Sequence, residues 1–253
     1  ALRTELLVHG VRTPYWGPLS GGLSTIGGSL AQEAVMWGSA KRGPVSESVL
    51  GLDVVISDGT RIRLGMGHSH ASVPFWRHYG PDLTGLFLGD SGAFGVKYSV
   101  ALRLVIEPPC QAFISFEFLN PDQLVDAMAE IARRELSSTG FALDPTMADQ
   151  RIRRASLKHG AEAVISMIGK SRNKVSTIIE AARIASEGRT FISTDGYSLH
   201  IIAEESSESS INAALDAIRV ICDSGNEIPS FGENGYLLIG LFLGISFWFR
   251  YQC

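Results

Sequence analysis

Only three cysteines, Cys110, Cys222 and Cys253, occur in 253 residues. Odd in number and far apart, they make neither a disulfide framework nor a CxxC metal site, and they point to a reducing, cytoplasmic compartment. Charge is also sparse: 19% of residues are charged, and 22 Lys plus Arg against 26 Asp plus Glu leave a net charge of −4 with no basic block. Such a chain lacks the electrostatic footprint of a nucleic-acid-binding protein. The longest apolar run, Tyr236 to Phe249, has about 14 residues, short of the roughly 20 a membrane-spanning helix needs, so a membrane partner is not expected. Three readings stay open for that run: a buried strand or helix, a membrane-associating tail, or a truncated or wrongly read end. The last is favoured, because the run has no polar alternation and no caps. Also missing are GxGxxG after a strand, GxxxxGK[ST] and Gly-x-Ser-x-Gly, which removes the Rossmann fingerprint, the P-loop and the hydrolase elbow. No initiator Met precedes Ala1 and no secretory leader is legible. The chain therefore reads as a piece of a longer product.

What is present is a globular composition, 45% apolar, with one excess: 27 glycines. Most of them lie between Gly10 and Gly95, where they punctuate short β-type runs. Leu52–Ser57 and Thr60–Leu64 flank Asp58-Gly59, a strong hairpin signal. Val96–Ile106 alternates polar and apolar residues in its first half and is stopped by Pro108-Pro109. Beyond Pro109 the texture changes to longer elements. Ala112–Leu119 reads as a strand. Asn120-Pro121 caps and opens a helix over Asp122–Leu136, with Leu124, Val125, Met128, Ile131 and Ala132 on one face. Phe141–Leu143 is a short strand, Asp144-Pro145 starts another helix, and a long amphipathic helix is expected over Ser171–Glu187. Tyr197–Glu204 is then a strand and Ser209–Cys222 a helix. Strand–helix–strand, an insertion, then strand–helix predicts an α+β chain whose second part is a ferredoxin-like, split βαβ sheet. The expected divisions are residues 1–109, 110–229 and an apolar tail over 230–253.

Two Gly-rich segments carry chemistry. Pro18–Gly28 runs into the short helical stretch Ser29–Ala34, so that small residues and paired glycines bring backbone amides close to a ligand. A tight packing turn is the alternative. Asp82–Val96 places Gly89, Gly92 and Gly95 three residues apart, in what reads as an exposed loop of free amides leading into a strand. Here a structural bulge loop is the alternative. The two loops, with Val49–Gly59 between them in fixed order, are more specific than either alone.

The ordered set Ser24–Gly28, Gly38, Val49–Val55, Asp58-Gly59, Asp82–Phe87 and Gly89–Val96 resembles the FAD-binding (PCMH-type) domain of the vanillyl-alcohol oxidase / p-cresol methylhydroxylase superfamily. The nearest branch is that of D-lactate dehydrogenase, glycolate oxidase and alkyldihydroxyacetonephosphate synthase. The resemblance implies the second half of a PCMH-type domain followed by part of a substrate cap, with FAD as cofactor. Family contacts fall on Leu19, Ser20, Ser24, Thr25, Ile26, Gly27, Gly28, Gln32 and Ala34 along the flavin and pyrophosphate. Gly38 lets the chain pass the cofactor. Gly89, Asp90, Ser91, Gly92, Gly95 and Val96 approach its phosphate–ribose–adenine side. The family's earlier Gly-rich loop has no counterpart here, and neither do its C-terminal substrate-contacting segments. Where the family reads Gly-Ser-Glu-Gly-Thr-Leu-Gly, this chain has Gly89-Asp-Ser-Gly-Ala-Phe-Gly95, with its acid one place earlier. The isolated chain is accordingly expected to hold FAD poorly.

Other segments are weighed beside these. His68-Ser-His70 has metal-like spacing but no third ligand nearby, and reads as a solvated loop. Arg77-His78 is a candidate to face the flavin or a carboxylate, against a structural hydrogen-bonding role. His200, opposite Leu199 and Ile201, is a candidate to face the flavin from the cap sheet. Arg151–Arg154 is the solvated end of a helix, and Glu204–Ser210 a helix N-terminal region where negative charge suits the macrodipole. The expected activity is hydride transfer from a small hydroxy acid or alcohol, of D-lactate or glycolate type, to flavin N5. The small-molecule substrate is one partner; a second copy of the chain or an electron-acceptor protein is another. The alternative is a non-catalytic subunit that keeps part of a flavin fold.

Overall fold

The computed structural model describes residues 2–15, 17, 24–35, 37–65, 77, 81–147 and 196–228. Leu19, Ser20, His68, His70, His78, Arg151–Arg154, the helix expected over 171–187 and the apolar run of 236–249 lie outside the described residues. The chain separates into two units, Ala1–Glu107 and Pro108–Cys253.

In the first unit, α1 (Leu2–Val8) leads into β1 (Val11–Arg12), followed by the short helices α2 (Ile26–Ala31) and α3 (Ser39–Arg42) and a 3-10 turn at Val45–Ser48. Three antiparallel strands come next: β2 (Val49–Val55), β3 (Arg61–Leu64) and β4 (Val96–Leu102), with β2 in the middle. β2 is apolar on both faces apart from Asp53 and is buried for nearly its whole length, as a central strand must be. The Asp58-Gly59 turn closes the β2–β3 hairpin. Gly59 takes φ +86° and Thr60 N–H donates to Asp58 Oδ1 at 2.8 Å, a side-chain turn of the kind Asp favours. Tyr15, Leu30, Val45, Val49, Leu52, Val54, Leu64 and Phe87 form the core.

The expected single strand over Val96–Ile106 is in fact two. β4 ends at Leu102, where Arg103 N–H turns to Ser48 O at 2.7 Å. The chain then enters β5 (Val105–Ile106), which pairs with β1 in a separate two-stranded sheet. Hydrogen-bonding partners on different sheets, not a change in side-chain pattern, break the run.

The second unit opens with β6 (Cys110–Phe118), then α4 (Pro121–Arg133) and β7 (Thr139–Leu143). β8 (Tyr197–Glu205), α5 (Glu208–Ile221) and β9 (Asn226–Ile228) follow. The sheet order is β7-β8-β6-β9 and every neighbouring pair is antiparallel. Each helix therefore links two parallel strands with a third between them, which is the split βαβ arrangement of a ferredoxin-like sheet. Among the described residues β1 and, in this sheet, β9 are strands without a counterpart in the sequence reading. With two and three residues they are too short to show a period.

β6 alternates strictly. Cys110, Ala112, Ile114, Phe116 and Phe118 are buried toward α4 and α5, while Gln111, Phe113, Ser115 and Glu117 take the other face. α4 starts where Asn120 Oδ1 accepts from Asp122 N–H at 2.9 Å, with Pro121 in the first turn. Its buried positions are Leu124, Ala127 and Ile131; Val125 and Ala132, expected on that face, are exposed, because i, i+3, i+7 places them on the flank. Asp144 Oδ1 accepts from Met147 N–H at 2.8 Å, so the helical turn over 145–147 begins as expected. Ser207 caps α5, accepting from Ser210 N–H at 3.2 Å. Among the described residues no helix is long and apolar enough to cross a membrane.

Two outcomes are expected for the second unit. Phe118→Ala removes a fully buried ring and lowers stability by about 3–5 kcal/mol in urea unfolding. Cys222 is a buried free thiol whose pKa is pushed up to about 12, first by burial and then by Asp223. Peptide mapping after iodoacetamide treatment at neutral pH shows it unmodified in the native protein and alkylated after denaturation.

Candidate functional site

α2 is too short to satisfy its own ends. In a helix the first four N–H and last four C=O groups lack intrahelical partners, and α2 has six residues. Thr25 solves part of the N-terminal problem: at φ −90°, ψ 155° its Oγ1 accepts from Gly28 N–H at 3.0 Å. A Cβ at Gly28 would lie 3.0 Å from that oxygen, so glycine leaves the cap room. The helical pattern gives no partner to the amides of Ile26 and Gly27, which face out of the helix start. Gly27 seats this start on β4, since a Cβ there would meet Lys97 O at 3.3 Å.

The C-terminal end is satisfied by the second Gly-rich loop. Gly89 N–H donates to Leu30 O at 2.9 Å and Ser91 N–H to Ala31 O at 2.8 Å. Two segments some sixty positions apart are therefore one body, with the helix start on β4 and the helix end on the loop that feeds β4. The helix that begins with Ile26, Gly27 and Gly28 behind Thr25 thus meets Gly89 and Ser91 through Leu30 and Ala31, and Lys97 through Gly27. Gln32 ends the helix and is exposed, and Ala34 O accepts from Val45 N–H at 3.1 Å. Gly38, at φ +88°, caps α3.

Inside the loop, Asp90 is the organiser. Its carboxylate accepts from Gly92 N–H at 3.0 Å and Phe94 N–H at 3.2 Å, and Lys97 Nζ sits 2.5 Å from Oδ1. The two side chains are 1% and 3% exposed. Burial works against the charge on Asp90. Hydrogen bonds from Lys97, Gly92 and Phe94, and the Lys97 charge, outweigh it and hold the carboxyl below the ordinary Asp value. The expectation of a row of free amides is thus corrected: Gly89, Ser91, Gly92, Ala93 and Phe94 all donate within the unit. A short carboxylate next to two left-handed residues folds back on them before any ligand arrives. The glycines differ in purpose. Gly92, at φ +81° with open space around it, is needed for its backbone angle. Gly95 is needed for room, since a Cβ would stand 2.5 Å from Val54 Cγ1 and 2.7 Å from Val55 O.

Lys97 was not singled out from the sequence. Its signal was a cation seven residues after the one acid of the loop, but its direction depends on a bulge. Leu52 pairs with Val100 and Val54 with Lys97, two steps on β2 against three on β4, so the extra residue brings Lys97 to the Val54 face.

Arg77 is held in the structural role. Its guanidinium bonds Asp82 at 2.6 Å and 3.2 Å and Ser46 O at 2.9 Å, and Asp82 also accepts from Gly85 N–H at 3.3 Å. In the second unit His200 lies opposite Leu199 and Ile201, as read from the sequence. It is buried, with Ser115 Oγ 2.9 Å from Nδ1, Ser198 Oγ 3.1 Å from Nε2 and the Phe141 ring 5.0 Å away.

Residues 1–65 match the model of a protein family described as an FAD binding domain. The chain is 29% identical over 132 residues to glycolate oxidase subunit GlcD of Bacillus subtilis (strain 168), covering 51% of this chain and 27% of that protein. It is 30% identical over 121 residues to a probable mitochondrial D-lactate dehydrogenase of Danio rerio, covering 47% and 24%. Among solved structures, an alkyldihydroxyacetonephosphate synthase shares the fold with a TM-score of 0.60 at 18% identity, over 96% of this chain and 41% of that one. A p-cresol methylhydroxylase does so with 0.60 at 15% identity, over 89% and 43%. The matched stretch spans about a quarter of the length of the two curated relatives. Together these findings give residues 1–65 a likeness to an FAD binding domain, whose cofactor is FAD, and give the chain the fold shared by the two solved structures.

Two outcomes test the geometry. Thr25→Ala removes the α2 cap and costs about 0.5–2 kcal/mol in thermal or urea unfolding, whereas Thr25→Ser keeps most of it. Because the Asp90 carboxyl is held low, its stabilising contribution is complete above the ordinary Asp range and is lost only as pH falls through the lowered value. Protection of the Gly92 and Phe94 amides, measured by NMR against the intrinsic exchange rate at each pH, should be lost below the usual carboxylate range and not within it.

Proposed function

We propose that the protein carrying this chain is an FAD-dependent oxidoreductase acting on a small hydroxy acid or alcohol, of the D-lactate or glycolate kind. The observation that carries this reading is the α2–loop–β4 body within a unit whose first 65 residues match an FAD binding domain. In it the first unit is the part of the FAD-binding domain that holds the cofactor, and the ferredoxin-like sheet of the second is part of a substrate cap.

The residues present suit the cofactor. Gly27 and Gly28 put no side chain over the helix start, and the Ile26 and Gly27 amides face outward there. Ile26, Phe94 and Val96 are exposed apolar groups that a flat ring or an adenosine would cover. FAD would be held by Ser24, Thr25, Ile26, Gly27 and Gly28 at the helix start, by Gly89, Asp90, Ser91, Gly92, Gly95 and Val96 at the loop, and by Gln32, Ala34 and Gly38; Leu19 and Ser20 join this set by the family resemblance alone. When bound, it supplies the acceptor for the hydride that leaves the carbinol carbon while the hydroxyl proton goes to a base. The chain's own contribution is orientation: a main-chain body fixed at both ends of α2, with the Asp90 charge neutralised so that its surface is nearly uncharged.

Purified full-length protein is expected to show the visible flavin bands and to lose them on anaerobic addition of D-lactate or glycolate. Protein that remains colourless after incubation with FAD would overturn the reading, and a flavin spectrum that neither acid bleaches would overturn the substrate class alone.

A further inference from the structure

We infer that Asp90 and Lys97 form a latch that closes the Gly89–Val96 loop to phosphate, so that the loop receives an uncharged part of the cofactor. The inference rests on the FAD reading above and narrows it. Successive main-chain amides around left-handed residues make a concavity suited to an anion. Ser91 and Gly92, at φ 54° and +81°, form such a place, but the Asp90 carboxylate already fills it by accepting from Gly92 and Phe94. A phosphate brought to the same amides would have to displace a carboxylate or sit against it.

Lys97 gives such a phosphate no help. Its ammonium is 2.5 Å from Asp90 and 3.4 Å from Gly95 O, and it is 3% exposed. It is committed to making a buried carboxylate tolerable, and an unpaired one would be strongly destabilising. The bulge on β4 is what allows this. Without the extra residue, Tyr98 would stand opposite Val54 and the lysine would leave the sheet on the other face. Loop sequence, buried pair and strand irregularity therefore agree on one outcome: an internal anion held permanently in the seat. Asp90 and Lys97 are positioning residues, since they shape the surface without needing to touch the reacting atoms.

The test is amide hydrogen exchange over residues 89–96 in the full-length protein without FAD. In the native sequence, the Gly92 and Phe94 amides should exchange slowly, and inorganic phosphate should leave them unchanged. In Asp90→Ala both should exchange about tenfold faster. Inorganic phosphate should then slow them again, because it occupies the emptied seat beside Lys97. The charge swap Asp90→Lys with Lys97→Asp should restore the ion pair but neither the slow exchange nor FAD affinity, since a lysine accepts no amide. Should Asp90→Ala fail to fold, the neutral double variant Asp90→Asn with Lys97→Met keeps one acceptor, and exchange should accelerate at one of the two amides only. Phosphate protecting the native loop, or Asp90→Ala leaving exchange unchanged, would overturn the latch. Protein with the expected exchange pattern that takes up no FAD would overturn the cofactor reading and leave the latch standing. FAD uptake by a loop that also responds to phosphate would do the reverse.

Discussion

A helix of six residues cannot satisfy its own main chain, and in the first unit that constraint organises everything around it. The α2 carbonyls at Leu30 and Ala31 take amides from the Gly89–Ser91 bend, while its first turn is capped by Thr25 and rests on the Lys97 carbonyl. An unpaired buried main-chain group is costly, so nearly all of them find a partner. A helix this short finds them outside itself, and the nearest supply is the loop that delivers the chain into β4. The same shortage leaves the amides of Ile26 and Gly27 facing outward. Two donors without helical partners and a rigid junction thus arise from one cause.

The loop shows the opposite solution. Its amides are satisfied internally by a carboxylate, and the charge so buried is balanced by a lysine that only a bulged strand could aim correctly. Neighbouring parts of one body therefore differ in electrostatic character, open donors at the helix start and a neutralised anion in the loop. An extended ligand with a charged middle and uncharged ends can be read in one orientation by such a pair.

The second unit uses different physics. There a four-stranded sheet is covered on one face by α4 and α5 through strictly alternating apolar residues, and the opposite face carries hydrogen-bonded polar groups, Gln111 with Glu204 and Ser115 with His200. His200 has both ring nitrogens engaged and an aromatic ring beside it, so its burial is explained without a ligand.

Much of this was legible before any coordinates. The run Ala112–Leu119 marked most of β6, Asn120-Pro121 the start of α4, Asp58-Gly59 the hairpin, and the order of strands and helices after Pro109 the split βαβ sheet, because these signals are local and carry their own composition, turn or cap. The positions of the Gly-rich bends could be read in the same way, since glycine spacing reports where a backbone must turn or be approached. What those bends offer could not be read. Whether Gly95 serves conformation or space depends on Val54. Whether the 89–95 amides are open depends on where one carboxylate points. Whether Lys97 can reach that carboxylate depends on a bulge across from Val54, and the break between β4 and β5 on hydrogen bonds to Ser48 and β1. Local chemistry and periodicity determined the elements and their turns; the tertiary structure decided which donors remain exposed, through distant partners such as Leu30 and Ala31 and through the direction it gives the Asp90 carboxylate, because a main-chain amide is spent or spared by whatever the fold brings beside it.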